Sequence, residues 1–278
     1  MGLDATLGYG GHTRKMLEQL QGQGHMYATD VDPIESEKTK KRLAEAGFGE
    51  DILTIRRMNF ANLDQVAPGE KFDFVLADLG VSSMQIDNPD RGFSSKLEGP
   101  LDLRMNPQKG TSAAERLKDV TEDEFIGMLR ENADEPYAEE IAATVMKWFR
   151  KGKPIETTTH MKEVIEQALC DVPKAERAEA VKKSCARTFQ ALRIDVNSEF
   201  EVLYTFLEKL PEVLAPTGRV AILTFHSGED RLVKRSFKEL EKAGLYSEVC
   251  KDFIRPSAEE CVRNSRAKST KMRWAIKA

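Results

Sequence analysis

Residues 3–12 read Leu-Asp-Ala-Thr-Leu-Gly-Tyr-Gly-Gly-His, and residues 26–33 read Met-Tyr-Ala-Thr-Asp-Val-Asp-Pro. A short apolar run ends in a glycine-rich turn, a helical stretch follows, and a second short apolar run ends in an acid. This order is the opening half of a nucleotide-binding βαβ unit. The glycines let the backbone approach a ligand closely. Asp30, at the end of the second run, is placed to accept hydrogen bonds from both ribose hydroxyls of an adenosine. The spacing fixes both ends of one nucleoside-like ligand. A chance tight turn followed by a solvated acid explains each piece, but the ordered set is much rarer than its parts.

Working outward, the first helix is expected over Thr13 to Leu20, with Met16, Leu17 and Leu20 on one face, and a second over Glu35 to Ala46, stopped by Gly47. Ile52 to Arg56 reads as a third strand running into Met58-Asn59-Phe60. Phe72-Asp-Phe-Val-Leu-Ala-Asp78 reads as a fourth, apolar and short enough to be a buried parallel strand. Its last residue, Asp78, falls at a strand's carboxyl end, where open α/β sheets bind ligands. From Ser112 to Ala186 the pattern is helical, with amphipathic stretches at Glu122 to Glu131, Tyr137 to Phe149 and His160 to Leu169. Strand character returns at Arg219 to Phe225 after a Pro216-Thr217-Gly218 turn, between helices expected at Ser198 to Leu210 and Arg231 to Lys242. The expected fold is therefore α/β, a Rossmann-like sheet formed by residues 1–106 and 186–278. An all-helical subdomain, 107–185, is inserted and expected to shape the substrate site. The tail from Lys251 carries eight Lys and Arg residues and reads either as a phosphate-contacting edge or as a solvated surface.

The 278 residues suffice for one large or two smaller domains, and 40% hydrophobic with 32% charged residues is an ordinary soluble composition. A net charge of −4 argues against a strongly basic nucleic-acid coat while leaving room for local basic surfaces. No apolar stretch approaches the roughly 20 residues of a membrane span. Cys170, Cys185, Cys250 and Cys261 form no Cys-x-x-Cys pair, so neither zinc, any other metal nor a disulfide framework is expected, and a reducing cytoplasm fits. Met-Gly-Leu-Asp-Ala-Thr matches a short myristoylation pattern. The same residues make the first strand, which must be buried for the glycine turn to work, so acylation is not expected. No secretory signal is visible.

A glycine turn with a ribose-binding acid suits a dinucleotide or S-adenosylmethionine. Residues 6–12 lack the full Gly-x-Gly-x-x-Gly spacing, which disfavours a nicotinamide dehydrogenase. Phe60 is placed either to stack on adenine or to fill the core. Further motifs follow in order: Asp78-Leu-Gly-Val-Ser-Ser-Met-Gln85, Asp90-Arg-Gly-Phe-Ser94, Gly99-Pro-Leu-Asp-Leu-Arg-Met105, Arg187-Thr-Phe-Gln-Ala-Leu-Arg-Ile194, Phe225-His-Ser-Gly-Glu-Asp-Arg231 and Asn264-Ser-Arg-Ala-Lys-Ser269. Together they resemble the bacterial 16S ribosomal RNA (cytosine-N4)-methyltransferases, the MraW or RsmH family, from about Leu3 to the C-terminus. The resemblance implies a class I methyltransferase fold with a helical insertion. It also implies methylation of the exocyclic N4 amine of a decoding-centre cytosine in the small subunit. By matching position, it implies cofactor contacts at Gly10, Gly11, His12, Asp30, Phe60, Asp78 and Gln85. Of these, His12 and Gln85 rest on the resemblance alone. On their own they read as a helix-start histidine and a surface amide.

Two departures stand out. Members of the family usually carry a further segment with a His-x-Pro-Val-Leu-Leu-like stretch before the first strand, whereas this sequence starts almost on it. The family also has Leu where this sequence has Gly228, which raises a paralogue with another target. The chemistry expected is in-line attack by a poorly nucleophilic amine on a sulfonium methyl, helped chiefly by positioning, which supplies roughly 7–11 kcal/mol. Asp78 is the first candidate to accept the amine proton and His226 the second, each with a structural role as the alternative. Arg187, Arg193 and Arg231 are candidates for the phosphates flanking a base drawn out of its stack, with Gln190 and Asn197 in the same RNA-facing set. The expected partner is 16S ribosomal RNA in an assembled small subunit, and a homodimer is left open. The competing functions are methylation of another RNA, DNA or small-molecule amine, and a nonenzymatic cofactor-binding role in ribosome assembly.

Overall fold

A computed structural model describes residues Met1–Ala278. The elements run β1 (Gly2–Asp4), α1 (Gly11–Leu20), β2 (Met26–Asp30), α2 (Pro33–Glu45), β3 (Leu53–Arg57) and β4 (Phe72–Asp78). Six helices then follow without a strand: α3 (Ser83–Asp87), α4 (Ala113–Asp119), α5 (Glu122–Ala133), α6 (Ala138–Arg150), α7 (Thr158–Ala168) and α8 (Lys174–Asn197). The remainder is α9 (Glu199–Val213), β5 (Leu214–Thr224), α10 (Ser227–Lys242), β6 (Tyr246–Val249), α11 (Ala258–Arg263) and β7 (Lys271–Lys277). The chain divides into two compact units. One is Met1–Gly80 with Phe200–Ala278, and the other is Val81–Glu199.

The first unit holds a seven-stranded sheet in the order β3-β2-β1-β4-β5-β7-β6. The first five of these strands are parallel, and β7 runs antiparallel to both β5 and β6. The order reverses between β1 and β4, the switch point at which doubly wound sheets open a crevice at the carboxyl ends of their strands. The α/β, Rossmann-like fold expected from the sequence is borne out. Leu3, Val75, Ala77, Val220 and Ile222 are at most 2% exposed, as expected of strands covered on both faces. Leu17 of α1 and Leu43 of α2 pack with Met26, Ala28 and Leu53, while Leu207 and Leu210 of α9 and Val233 and Phe237 of α10 join the cluster around β4 and β5.

Two features of this sheet were not legible. Strand β7 lies in the segment read only as a basic tail, and β6 (Tyr246–Val249) in the stretch just before it, for which no strand was expected. Ala275 is buried and Trp274 and Ile276 partly so, but the flanking charges Lys271, Arg273 and Lys277 hide the alternation. The turn expected at Pro216 to Gly218 falls inside the span of β5. Phe72 pairs with Leu214 and Phe74 with Arg219, so the intervening residues loop out. Gly218 sits where an added Cβ would come within 2.8 Å of the Ala215 carbonyl oxygen and 2.9 Å of that of Phe72.

The second unit is helical, with its own core. In α6, Ala138, Ile141, Ala142, Val145 and Trp148 are buried at helical spacing and meet Phe125 and Leu129 of α5, Met161 and Ile165 of α7, and Phe189 and Leu192 of α8. Burying each large apolar side chain contributes roughly 1.5–3 kcal/mol, which is what holds the short helices in place. Ser112 with Glu115, and Thr121 with Glu124, form capping boxes that start α4 and α5. This unit extends beyond residues 107–185 on both sides. Leu101 and Leu103 are buried in the helical core, and α8 continues unbroken to Asn197. No helix is long and apolar enough to cross a membrane.

Candidate active site

The carboxyl edge of the parallel strands collects Asp30 and Asp78, both singled out in the sequence, together with a third acid, Asp4. Asp4 ends β1, Asp30 ends β2 and Asp78 ends β4. The loop after β1 turns through Gly8 (φ 47°) and Gly10 (φ 82°) into α1. At Gly10 a side chain would strain the backbone and bring its Cβ within 2.7 Å of Thr39 Cγ2. Gly11 is different. Its φ is ordinary, and a Cβ there would meet nothing within 4 Å, so the protein's own packing does not require glycine. The amino end of α1 has no side-chain cap and no acid in its first turn, leaving backbone N–H donors and the positive end of the helix dipole open.

The loop is held from three sides. Gly8 N–H donates to Asp30 Oδ2 at 2.8 Å, and Asp32 N–H donates to Asp30 Oδ1 at 2.8 Å. Thr39 Oγ1 donates to the Gly8 carbonyl at 2.6 Å, and Arg42 donates to the Tyr9 carbonyl at 2.9 Å while its guanidinium lies 3.7 Å over the Tyr9 ring. Beneath the loop, Asp4 accepts from Thr6 N–H at 3.0 Å and from Thr13 Oγ1 at 2.6 Å. Asp4 is 1% exposed. Burial raises its pKa above the usual carboxylate value, partly countered by the bonds from Thr13 and Thr6. Burial likewise pushes Asp30 up to about 6 against the two backbone N–H bonds that favour its charged form.

Asp78 is tied into the same frame. Its N–H donates to Thr6 Oγ1 at 2.7 Å, and its Oδ2 lies 3.3 Å from His12 Nε2. The bond to Asp78 raises the His12 pKa above its ordinary value, against a smaller opposing effect of burial. The other Asp78 oxygen, Oδ1, is buried without a hydrogen-bond partner. A buried carboxylate oxygen left unpaired at a strand end is costly unless a ligand donates to it.

The remaining expected residues divide. Phe60 opens a short 3-10 turn after β3, and its ring meets Phe206 edge-on at 5.1 Å, so it belongs in part to the core. Gln85 lies in the helical unit as the third residue of α3. Its Oε1 accepts from Ser82 N–H at 2.8 Å in a capping box, so it is a buried cap and not a surface amide. His226 precedes α10 and is nine-tenths buried. Its Nε2 is 3.2 Å from Glu229 Oε1, close enough for attraction but without hydrogen-bond alignment, and neither ring nitrogen has a hydrogen-bond partner. An added Cβ on Gly228 would reach 2.7 Å from Phe200 Cζ and 3.2 Å from His226 Nδ1, so glycine here gives the Phe200 ring its place beside the histidine.

Of the RNA-facing set, Arg193 is bound by Glu199 at 2.7 and 3.0 Å. Gln190 donates to the Asn132 carbonyl at 3.0 Å. Asn197 accepts from Met105 N–H at 2.7 Å and donates to the Leu103 and Arg193 carbonyls. These three brace the helical unit. Arg187 is half-buried with no ion-pair partner, and Arg231 is exposed just past the first turn of α10. Sequence reasoning missed Asp4, Thr6, Thr13, Thr39 and Arg42, which position the site. The Asp immediately before the glycine turn was the one local signal for them.

The MraW methylase family model matches residues 1–278. The chain belongs to this family. It is 67% identical over 278 residues to ribosomal RNA small subunit methyltransferase H 1 of Lachnoclostridium phytofermentans, covering all of this chain and 76% of the relative. It is 66% identical to the protein of the same name from Agathobacter rectalis, covering 80% of that relative. Ribosomal RNA small subunit methyltransferase H 2 of Alkaliphilus metalliredigens is 60% identical over 278 residues, again with 80% covered. The family and the methyltransferase class expected from the motifs are thereby borne out. The nicotinamide and nonenzymatic alternatives fall away for this MraW methylase.

Proposed function

We propose that the chain transfers the methyl group of S-adenosylmethionine to the exocyclic N4 of a cytosine in small-subunit 16S ribosomal RNA. The observation that carries this reading is the Asp78 carboxylate, with one oxygen on His12 and the other buried and unpaired at the carboxyl end of β4. The residues around it fit the cofactor. Asp30 retains lone pairs for ribose hydroxyls beyond its two backbone bonds. The bare Gly10–Gly11 backbone and the uncapped end of α1 accommodate a carboxylate-bearing chain. When bound, S-adenosylmethionine supplies an electrophilic methyl on a sulfonium.

The protein's part is orientation and a proton acceptor. Asp4, Thr6 and Thr13 fix the loop and the backbone of Asp78, so that the free Oδ1 keeps one position. That oxygen accepts from the amine N–H of the target base, favouring the rehybridised nitrogen and taking its proton as the bond to carbon forms. His12 holds its proton more tightly because of Asp78 and balances the carboxylate's charge. His226, buried with two unpaired nitrogens, is the second polar group offered at this sheet edge. The helical unit Val81–Glu199 is assigned to RNA recognition, with Arg187 among its cations without an ion-pair partner. The substrate is an assembled particle, because a net charge of −4 gives little general attraction to RNA. The deciding experiment maps N4-methylcytosine in small-subunit RNA from cells with and without the protein. Loss of one modified cytosine, restored by the wild-type chain but not by Asp78→Asn, is the expected result. An unchanged map refutes the assignment.

A further inference from the structure

Strand β7 pairs antiparallel with β5, Lys271 opposite Thr224, and β6 pairs antiparallel with β7. The connection from β6 to β7 therefore lies at the carboxyl edge of the sheet, on the side where Asp30 and Asp78 end their strands. Its base is fastened by reciprocal backbone bonds between Ile254 and Met272, each 2.9 Å. Side chains alternate along such a pair, so Phe253 and Arg255 share a face with Lys271 and Arg273. The distances agree. Arg255 Cζ is 4.8 Å, Lys271 Nζ 4.7 Å and Arg273 Cζ 5.5 Å from the centroid of the Phe253 ring.

One carboxylate answers two of these three cations. Asp230 accepts from Arg273 Nε at 2.7 Å and from Lys271 Nζ at 3.0 Å. Arg255 is exposed with no ion-pair partner. Over residues 251–273 seven Lys and Arg stand against three Asp and Glu, in a chain whose net charge is −4. The ring's negative face and Asp230 offset the mutual repulsion of the cations and hold them in fixed positions. The charge left at the surface is that of Arg255, since Arg273 is buried and Lys271 is bound to Asp230. Arg263 adds little to it, since Glu259 binds its guanidinium at 2.5 Å, whereas Lys251 and Lys268 are exposed and unpaired.

We propose that the Phe253-centred cluster is a docking surface for the RNA sugar-phosphate backbone, with Arg255 on a phosphate and Lys251 and Lys268 extending the track. The choice of RNA as the polyanion rests on the function proposed above. The surface works by charge and not by base reading, so it contributes affinity and strong salt dependence. Phe253 is a positioning residue that sets where the cations stand.

The test titrates the purified chain with assembled small subunits and with a fluorescein-labelled single-stranded RNA, from about 50 to 200 mM salt. Arg255→Gln is expected to weaken RNA binding roughly three- to tenfold near 0.1 M salt and to lower the salt slope by about 0.7–0.9. S-adenosylmethionine affinity stays within about twofold. Phe253→Leu keeps the apolar bulk and removes most of the ring's attraction, and is expected to weaken binding in the same direction. Lys238→Gln, exposed on α10, is the charge-matched control and leaves the slope unchanged. Wild-type affinity and slope in Arg255→Gln, or an equal drop in Lys238→Gln, overturns the proposal. If Phe253→Leu does not fold, the exposed Arg255→Gln alone decides. Should the wild-type chain transfer no methyl to small-subunit RNA while Arg255→Gln still changes the slope, the surface stands and the substrate reading falls.

Discussion

Asp30 gives the sharpest test, because its environment and its proposed task pull in opposite directions. Burial raises its pKa from 3.8 to about 6. The folded protein thus binds this proton more tightly than the unfolded chain. The stability it contributes is present below pH 3.8 and is lost as pH rises through about 6. At neutral pH the ionised carboxylate therefore costs on the order of 3 kcal/mol. Two ribose hydroxyls donating to the carboxylate favour its charged form, so cofactor binding returns the pKa toward the ordinary range and releases a proton near pH 6. If the bound value is about 4, linkage makes affinity about tenfold weaker at pH 5 than at pH 7.5. Asp30→Asn removes the buried charge but turns an NH₂ toward either Gly8 N–H or Asp32 N–H, an unpaired-donor cost of about 1–3 kcal/mol. Its thermal stability at pH 7 should thus lie near that of the wild type. Its cofactor affinity should fall by the roughly 1.5–3 kcal/mol of the charge-assisted bonds, about 10- to 150-fold. The assay is calorimetric titration from pH 5 to 7.5 in two buffers of different ionisation enthalpy, with Asp30→Asn alongside. Wild-type affinity that does not vary with pH, no proton release, and a mutant that binds as well as the wild type would together refute the reasoning.

Gly11→Ala should be neutral or stabilising by about 0.4–1 kcal/mol, since φ is ordinary and the added Cβ meets nothing, yet should weaken cofactor binding. Gly10→Ala should instead destabilise by about 1–3 kcal/mol from backbone strain at φ 82° alone, and urea unfolding separates the two. Asp4→Ala leaves the Thr13 hydroxyl and Thr6 N–H unpaired in the interior and should cost roughly 2–6 kcal/mol, read in the same unfolding experiment. Asp78→Asn should slow single-turnover methyl transfer by roughly 10²- to 10⁴-fold, the usual contribution of a positioned base, with the fold intact by circular dichroism. The attraction between His12 and Asp78 is present below the ordinary histidine pKa and is lost as pH rises through the raised one. An NMR titration of His12 should therefore show its midpoint fall in Asp78→Asn.

Much of this architecture was written locally. The strand from Phe72 to Asp78 and the first three strands could be read to within a residue or so, because buried parallel strands are short apolar runs closed by turn residues, and each run carries its own signal. Asp30 and Asp78 were visible for the same reason, since an acid that ends such a run falls at the ligand edge of any parallel sheet. Three helices of the second unit, α5, α6 and α7, were visible from their 3.6-residue spacing, whereas α8 was not read as one long helix. What the sequence did not give is whatever depends on partners far along the chain. Strands β6 and β7 are mixed with charge and become strands only by pairing with the edge beyond β5. Arg193, Gln190, Asn197 and Gln85 carry side chains that suit RNA or cofactor contact, but Glu199, Asn132, Met105 and Ser82 each occupy part of their hydrogen-bonding capacity within the protein. The cluster at Phe253 has the same origin. Residues 253 and 255 meet 271 and 273 because one antiparallel bridge brings them to a common face, and Asp230 arrives from a helix that precedes both. Local patterning determined the elements and the acids at their ends. Tertiary structure decided which polar groups are already paired and which remain free for a ligand, because hydrogen-bond satisfaction is a property of neighbours in space and not of residue type.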